Sequence, residues 1–207
     1  DVYILAPDSN RSAVSSKITM DRRVSYHRHG DGVYSCSGMP ADCVISALTS
    51  PLFGCRFDAV VSGINAGPNM GTDVIYSGTC AAARQAVLMG VPGIAVSLES
   101  EFFDYAQNLD ALISLCTGEV FVSLNATSAD TYTEAVFASG CVRDYGDRVG
   151  FEGEEPELTG FCTTDKISVT GESDCDYNIA RSGKIAVSLI YAEPVLKKMN
   201  GGVNFTF

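Results

Sequence analysis

The chain has 207 residues, 46% hydrophobic and 19% charged, with a formal net charge of −11, a pI near 4.5 and a mean hydropathy of +0.13. These values exclude a disordered chain and predict a sizeable buried core. The acidic balance argues against duplex DNA as a main partner, and no apolar run approaches the roughly 20 residues that span a bilayer.

The chain opens inside an apolar run, DVYILAP, without an initiator Met, a basic segment or a cleavage site, so further residues are expected upstream. None of the eight cysteines forms a CxxC pair, and there are two histidines, which is poor support for structural zinc. Most cysteines sit in apolar segments, so reduced, buried thiols and a cytoplasmic location are expected. The Asn-x-Ser/Thr triplets at Asn10, Asn125 and Asn204 read as chance matches.

Val2 to Ala6 predicts a short buried strand, ended by Pro7 and Asp8. Ile18 to Tyr34 alternates polar and apolar residues around a turn at Gly30 and Gly32. His27 and His29 share one face there and read as surface residues. Pro40 suits the first turn of a helix through CVISALTS, with Asp42 near its positive end. Phe57 to Ser62 predicts a second strand, followed by a glycine-rich loop from Gly63 to Gly71 and an alanine-rich helix from about Ser77 to Met89. Gly90 and Pro92 stop that helix before a third strand, Gly93 to Leu98. Asp104 to Cys116 fits a helix and Val120 to Leu124 a fourth strand.

Continuous apolar strands alternating with helices predict an α/β fold, with the four strands neighbours in one mostly parallel, Rossmann-like sheet covered by helices. Residues 1–207 read as a single domain, in which 125–207 form a C-terminal β-rich extension. Glu152 to Glu157 reads there as an acidic loop and Lys184 to Tyr191 as a β-rich run.

In such a sheet ligands sit beyond the carboxyl ends of the strands. Three segments leave those ends: Pro7 to Ser12, Ser62 to Asp73, and Tyr76 to Thr79. Ser77 can cap the alanine-rich helix, whose free N–H groups and dipole attract an oxyanion. Asn65 and Asn69 lie among Gly63, Gly67 and Gly71, a density that suits a backbone-lined phosphate site. The spacing is not GxGxxG, and Gly183-Lys184 lacks the remainder of a P-loop. No GxSxG elbow is present.

The stretch VVSGINAGPNMGTDVIYSGTCAAARQAVLMGVPGIAVSL, Val60 to Leu98, resembles the core motif of the SurE survival-protein family, whose members are metal-dependent 5′/3′-nucleotidases. APDSNRSAVSSKIT (Ala6 to Thr19) and SGMPADCV (Ser37 to Val44) resemble two further family motifs, and CDYNIARSGKIAVSL (Cys175 to Leu189) a weaker one. The resemblance implies a divalent cation, Mg²⁺ or Mn²⁺, held by Ser12 and Asn65 with two adjacent Asp residues from a preceding strand. Asn69, Ser77, Gly78 and Thr79 would then face the phosphate of a nucleoside monophosphate. It also implies a homodimer or homotetramer.

The family strand ending in Asn-Asp-Asp-Gly is not within these residues; Gln85 stands where many relatives carry Glu, and Leu189 departs from the usual Thr-Pro. Two readings stay open from the residues: a phosphatase of nucleoside monophosphates, and a degenerate member that binds nucleotide or phosphate without hydrolysing it. A nicotinamide dehydrogenase is disfavoured, since no dinucleotide fingerprint is present.

Overall fold

A computed structural model describes residues 1–99, 108–127, 132, 134–163 and 167–195. In chain order, β1 (Ile4–Pro7) precedes a hairpin of β2 (Tyr26–Gly30) and β3 (Val33–Cys36). Then come α1 (Pro40–Thr49), β4 (Val60–Ala66), a short α2 (Asp73–Tyr76), α3 (Gly78–Leu88), β5 (Gly93–Leu98), α4 (Leu109–Leu115) and β6 (Val120–Ala126). The remainder holds β7 (Ala135–Phe137), β8 (Val142–Asp144), β9 (Arg148–Glu152), β10 (Thr159–Thr163), β11 (Ser168–Thr170), α5 (Asp176–Arg181) and β12 (Ile185–Tyr191).

The central sheet has the order β4-β5-β6-β12-β7. Strands β4, β5 and β6 are parallel, β12 runs antiparallel to β6, and β7 is parallel to β12. Every residue of β5 and β6 is buried, because helices cover both faces. The pleat divides them: Ile94, Val96, Leu98, Val122 and Leu124 pack with Leu112 of α4, whereas Ala95 and Phe121 pack with Cys80, Ala83 and Val87 of α3. Each fully buried large side chain contributes roughly 1.5–3 kcal/mol, and truncating Phe121 to Ala would cost about 3–5 kcal/mol.

The helices begin where their caps dictate. Ser77 Oγ accepts the Cys80 N–H at 3.1 Å and starts α3. Pro40 opens α1, and Asp42 accepts from Met39 N at 2.8 Å and from the Thr19 hydroxyl at 2.6 Å. Burial pushes the Asp42 carboxyl up, but the hydrogen bonds from Met39 and Thr19 outweigh burial and leave it below the usual carboxylate range.

The α/β character agrees with the sequence, but two expectations need correction. The run Val2 to Ala6 is not a neighbour of the other three strands. Its strand, β1, pairs in parallel with β3 in a separate three-stranded sheet of order β1-β3-β2. Apolar content reports burial, not which strand lies alongside, and β1 is in fact only alternately half-buried. The second strand runs from Val60 to Ala66 instead of Phe57 to Ser62; Phe57 stacks on Tyr3 and Phe53. Lys184 to Tyr191 forms a strand as expected: β12 joins the central sheet antiparallel to β6, and Ile185 to Val187 are buried within it. Residues 104–107 of the helix expected from Asp104 to Cys116, and 196–207 of the C-terminal part, lie outside the described residues.

Candidate active site

The six residues singled out from the sequence converge. Ser12, Asn65, Asn69, Ser77, Gly78 and Thr79 line one cleft of about 450 Å³, a size in the range of small-molecule sites. Ser12 comes from the loop after β1, Asn65 and Asn69 from the end of β4 and the glycine-rich loop, and the other three from the start of α3. Pro40, at the start of α1, completes one wall.

The Thr79 hydroxyl donates to Asn65 Oδ1 at 3.3 Å, and Asn65 Nδ2 donates to the Gly67 carbonyl at 2.9 Å. The Asn65 carboxamide therefore bridges the β4 end to the α3 start. Asn69 is held from behind: its backbone N–H donates to Asn125 Oδ1 and its Nδ2 to Ser97 Oγ, both at 2.7 Å. Asn125 in turn donates to Ser123 Oγ at 3.2 Å. Ser97, Ser123 and Asn125 are at most 1% exposed, and they form a polar layer under the loop inside two apolar strands. Sequence reasoning missed these three; the signal was a Ser or Asn near the carboxyl end of GIAVSL and VFVSLNA.

Arg11, also in the cleft wall, was not singled out. Its guanidinium pairs with Asp8 at 3.0 Å and donates to the carbonyls of Gly38 and Ser37 at 3.3 and 3.4 Å. It ties the loop after β1 to the β3–α1 turn and leaves a cation at the cleft edge. His27 and His29 stack edge to face on exposed β2, with ring centroids 4.7 Å apart, and do not line this cleft.

The cleft offers the N-terminus of an eleven-residue helix, hydroxyls, carboxamides and one guanidinium. That set suits an oxyanion. A divalent cation fits it less well. Ser12 and Asn65 supply oxygens of the hard type that Mg²⁺ and Mn²⁺ take, but both are neutral and, among the described residues, no carboxylate lines the cleft. Among the described residues no group of three or more His, Cys, Asp or Glu side chains could hold a metal. The described lining does not by itself form a cation site.

Residues 1–141 match the family model described as Survival protein SurE. The chain is 45% identical over 150 residues to the 5'-nucleotidase SurE of Treponema pallidum (strain Nichols), an alignment covering 67% of this chain and 80% of that protein. It is 50% identical over 111 residues to the 5'/3'-nucleotidase SurE of Proteus mirabilis (strain HI4320), covering 51% of this chain and 42% of that protein. The crystal structure of the Sure protein from Aquifex aeolicus superposes with a TM-score of 0.74 at 24% identity, over 92% of this chain and 82% of that one. That likeness shows the shared α/β fold. With the family model matched over more than half of its length, the chain belongs to the SurE survival-protein family.

Proposed function

We propose that the chain is a phosphatase that hydrolyses nucleoside monophosphates, 5′ and in part 3′, to nucleoside and phosphate. One observation carries the reading: phosphate-type donors from three separate segments meet in one cleft at the start of α3. The names of the Treponema and Proteus relatives support the same substrate class. So does the likeness of the sheet to a doubly wound, Rossmann-like arrangement, with the cleft beyond the carboxyl ends of β4 and β5.

The chemistry follows from charge. Water attacks phosphorus, the ester P–O bond breaks, and the nucleoside oxygen leaves with a proton. The phosphoryl oxygens carry negative charge throughout, so donors fixed around them lower the barrier without reorganising. The N–H groups of Gly78 and Thr79, unpaired at the start of α3, face that charge along the helix dipole. The Thr79 and Ser12 hydroxyls and the Asn69 carboxamide orient the group, and Ser77 holds the helix start through its cap. Hydrolysis is metal-dependent in this reading. Ser12 and Asn65 would contribute neutral oxygens to a Mg²⁺ or Mn²⁺ ion, which would polarise the phosphoryl group, with carboxylate ligands from outside the described lining. The reading includes a cytoplasmic homodimer or homotetramer, for which exposed Val149, Phe151 and Phe161 on the β9–β10 hairpin offer apolar surface. No helix among the described residues is long and apolar enough to cross a membrane.

The test is phosphate release from AMP and GMP with Mn²⁺, before and after EDTA. Release that EDTA abolishes supports the enzyme. Binding of AMP without release, at any Mn²⁺ concentration, supports instead a member that holds nucleotide without hydrolysing it. Turnover that survives EDTA would overturn the metal assignment.

A further inference from the structure

The loop from Asn69 to Thr72 is anchored residue by residue. Asn69 hangs on Asn125 and Ser97. Met70 is 1% exposed and packs with Cys141, Cys175 and Ala180. Thr72 Oγ1 donates to the Arg143 carbonyl at 2.9 Å and accepts the Arg143 N–H at 3.0 Å. Gly71 is held differently. Its N–H donates to a carboxylate 105 positions away in the chain, Asp176 Oδ2, at 2.6 Å.

Asp176 is 2% exposed and none of the cleft residues needs it as a neighbour. Its other oxygen, Oδ1, accepts the N–H groups of Cys141 at 3.2 Å and Tyr177 at 2.8 Å. A buried carboxylate thus gathers three backbone donors from three segments: the glycine-rich loop, the stretch before β8, and the first turn of α5. Such charge-assisted bonds are about twice as strong as neutral ones, and a buried ion needs that satisfaction to be tolerated at all.

We propose that Asp176 is a positioning residue for the phosphate cleft: its carboxylate fixes Gly71 and so sets where Asn69, two residues earlier, presents its carboxamide. The inference rests on reading the cleft as a phosphate site. The two oxygens make it testable with one isosteric change. In Asp176→Asn the carboxamide oxygen keeps the two donors, Cys141 and Tyr177, that share Oδ1. Its NH₂ then replaces Oδ2 and meets the Gly71 N–H donor to donor. The two backbone bonds to Oδ1 survive and the loop bond is lost, while the Cys141 thiol, which also hydrogen-bonds this side chain, changes its partner from a carboxylate to a carboxamide.

The experiment compares wild type, Asp176→Asn and Asp174→Asn by hydrogen exchange and by calorimetric titration with inorganic phosphate. Asp174 is exposed and bonds Ser139 instead of the loop. In Asp176→Asn the amides of residues 66–72 should exchange about tenfold faster while β5 and β6 exchange as in wild type. Phosphate affinity per folded molecule should fall about tenfold, since displacements well below 1 Å already matter at such sites. Partial unfolding alone would lower the number of sites but not their affinity. Asp174→Asn should behave as wild type. Unchanged exchange in 66–72, or acceleration shared equally by β5 and β6, would overturn the positioning role. A wild type that binds no phosphate would instead overturn the reading of the cleft, and the exchange comparison would still decide on Asp176.

Discussion

Gly71→Ala is the most severe single change the glycine-rich loop offers. The residue has φ of +53°, where an L side chain costs about 1–2 kcal/mol. A Cβ there would stand 2.0 Å from the Cys141 carbonyl oxygen and 2.6 Å from its Sγ. Carbon–oxygen contacts normally begin at about 3.3 Å, so the loop and the stretch before β8 must part by more than 1 Å. The nearest neighbour is backbone and cannot swing aside, and overpacking of this kind costs about 1–3 kcal/mol. The separation also breaks the Gly71–Asp176 bond, and hydrogen bonds to charged groups are worth about 1.5–3 kcal/mol. Together these give a loss of about 4–8 kcal/mol, a large part of the roughly 5–15 kcal/mol of a whole domain. The assay is urea unfolding followed by far-ultraviolet circular dichroism. Gly140→Ala is the internal control, because a Cβ there meets nothing within 4 Å, and it should unfold within about 0.5 kcal/mol of wild type. A Gly71→Ala protein that unfolds alongside Gly140→Ala would refute the close packing of the loop against the stretch before β8.

Three further expectations concern the cleft and the helix beside it. At Gly78 a Cβ would stand 2.9 Å from Pro40 Cγ and 3.3 Å from Val14 Cγ2, so Gly78→Ala should push the cleft walls apart, weaken inorganic phosphate binding about fivefold in calorimetry and cost at most about 2 kcal/mol of stability; wild-type affinity would contradict this. Asn65→Ala should lower metal-dependent phosphate release from AMP about tenfold or more, whereas His27→Ala should leave it unchanged, because His27 lies outside the cleft. Asp42 has a folded pKa below its unfolded value of about 3.9, so its contribution is complete above that pH and lost as pH falls through the folded value. The urea midpoints of wild type and Asp42→Asn should therefore differ at pH 7 and converge as pH falls through the lowered folded pKa. A difference independent of pH would show that the carboxylate charge plays no part.

Legibility in the sequence followed the locality of the physics. The start of α3 could be read because Ser77 and its N–H partner at Cys80 are three residues apart, and β5 because six consecutive buried positions leave a continuous apolar run. The convergence of Asn65 and Ser77 was also legible, since both lie in the connection that leaves the carboxyl end of β4; Ser12 joins them from the loop after β1, which belongs to a separate sheet. The place of β1 was not, because pairing with β3 is a choice among open edges that no local pattern encodes. Asn125 was missed because a polar residue in an apolar strand declares its partner, Asn69, only in three dimensions. Asp176 could not be given a role from the sequence, because Gly71 and Cys141 are remote in the chain. The residues that could be named without coordinates are those presented at strand and helix ends. Those that hold them in place are the ones the sequence concealed.

The central claim is that the phosphate of a nucleoside monophosphate seats at the start of α3. Backbone amide NMR shifts, followed while AMP or adenosine is added, test it most directly. The account predicts that AMP shifts the amides of Gly78, Thr79 and Asn69 at concentrations where adenosine does not, and that inorganic phosphate reproduces the shifts at Gly78 and Thr79. Equal shifts with AMP and adenosine, or AMP shifts confined to residues outside the cleft, would contradict it.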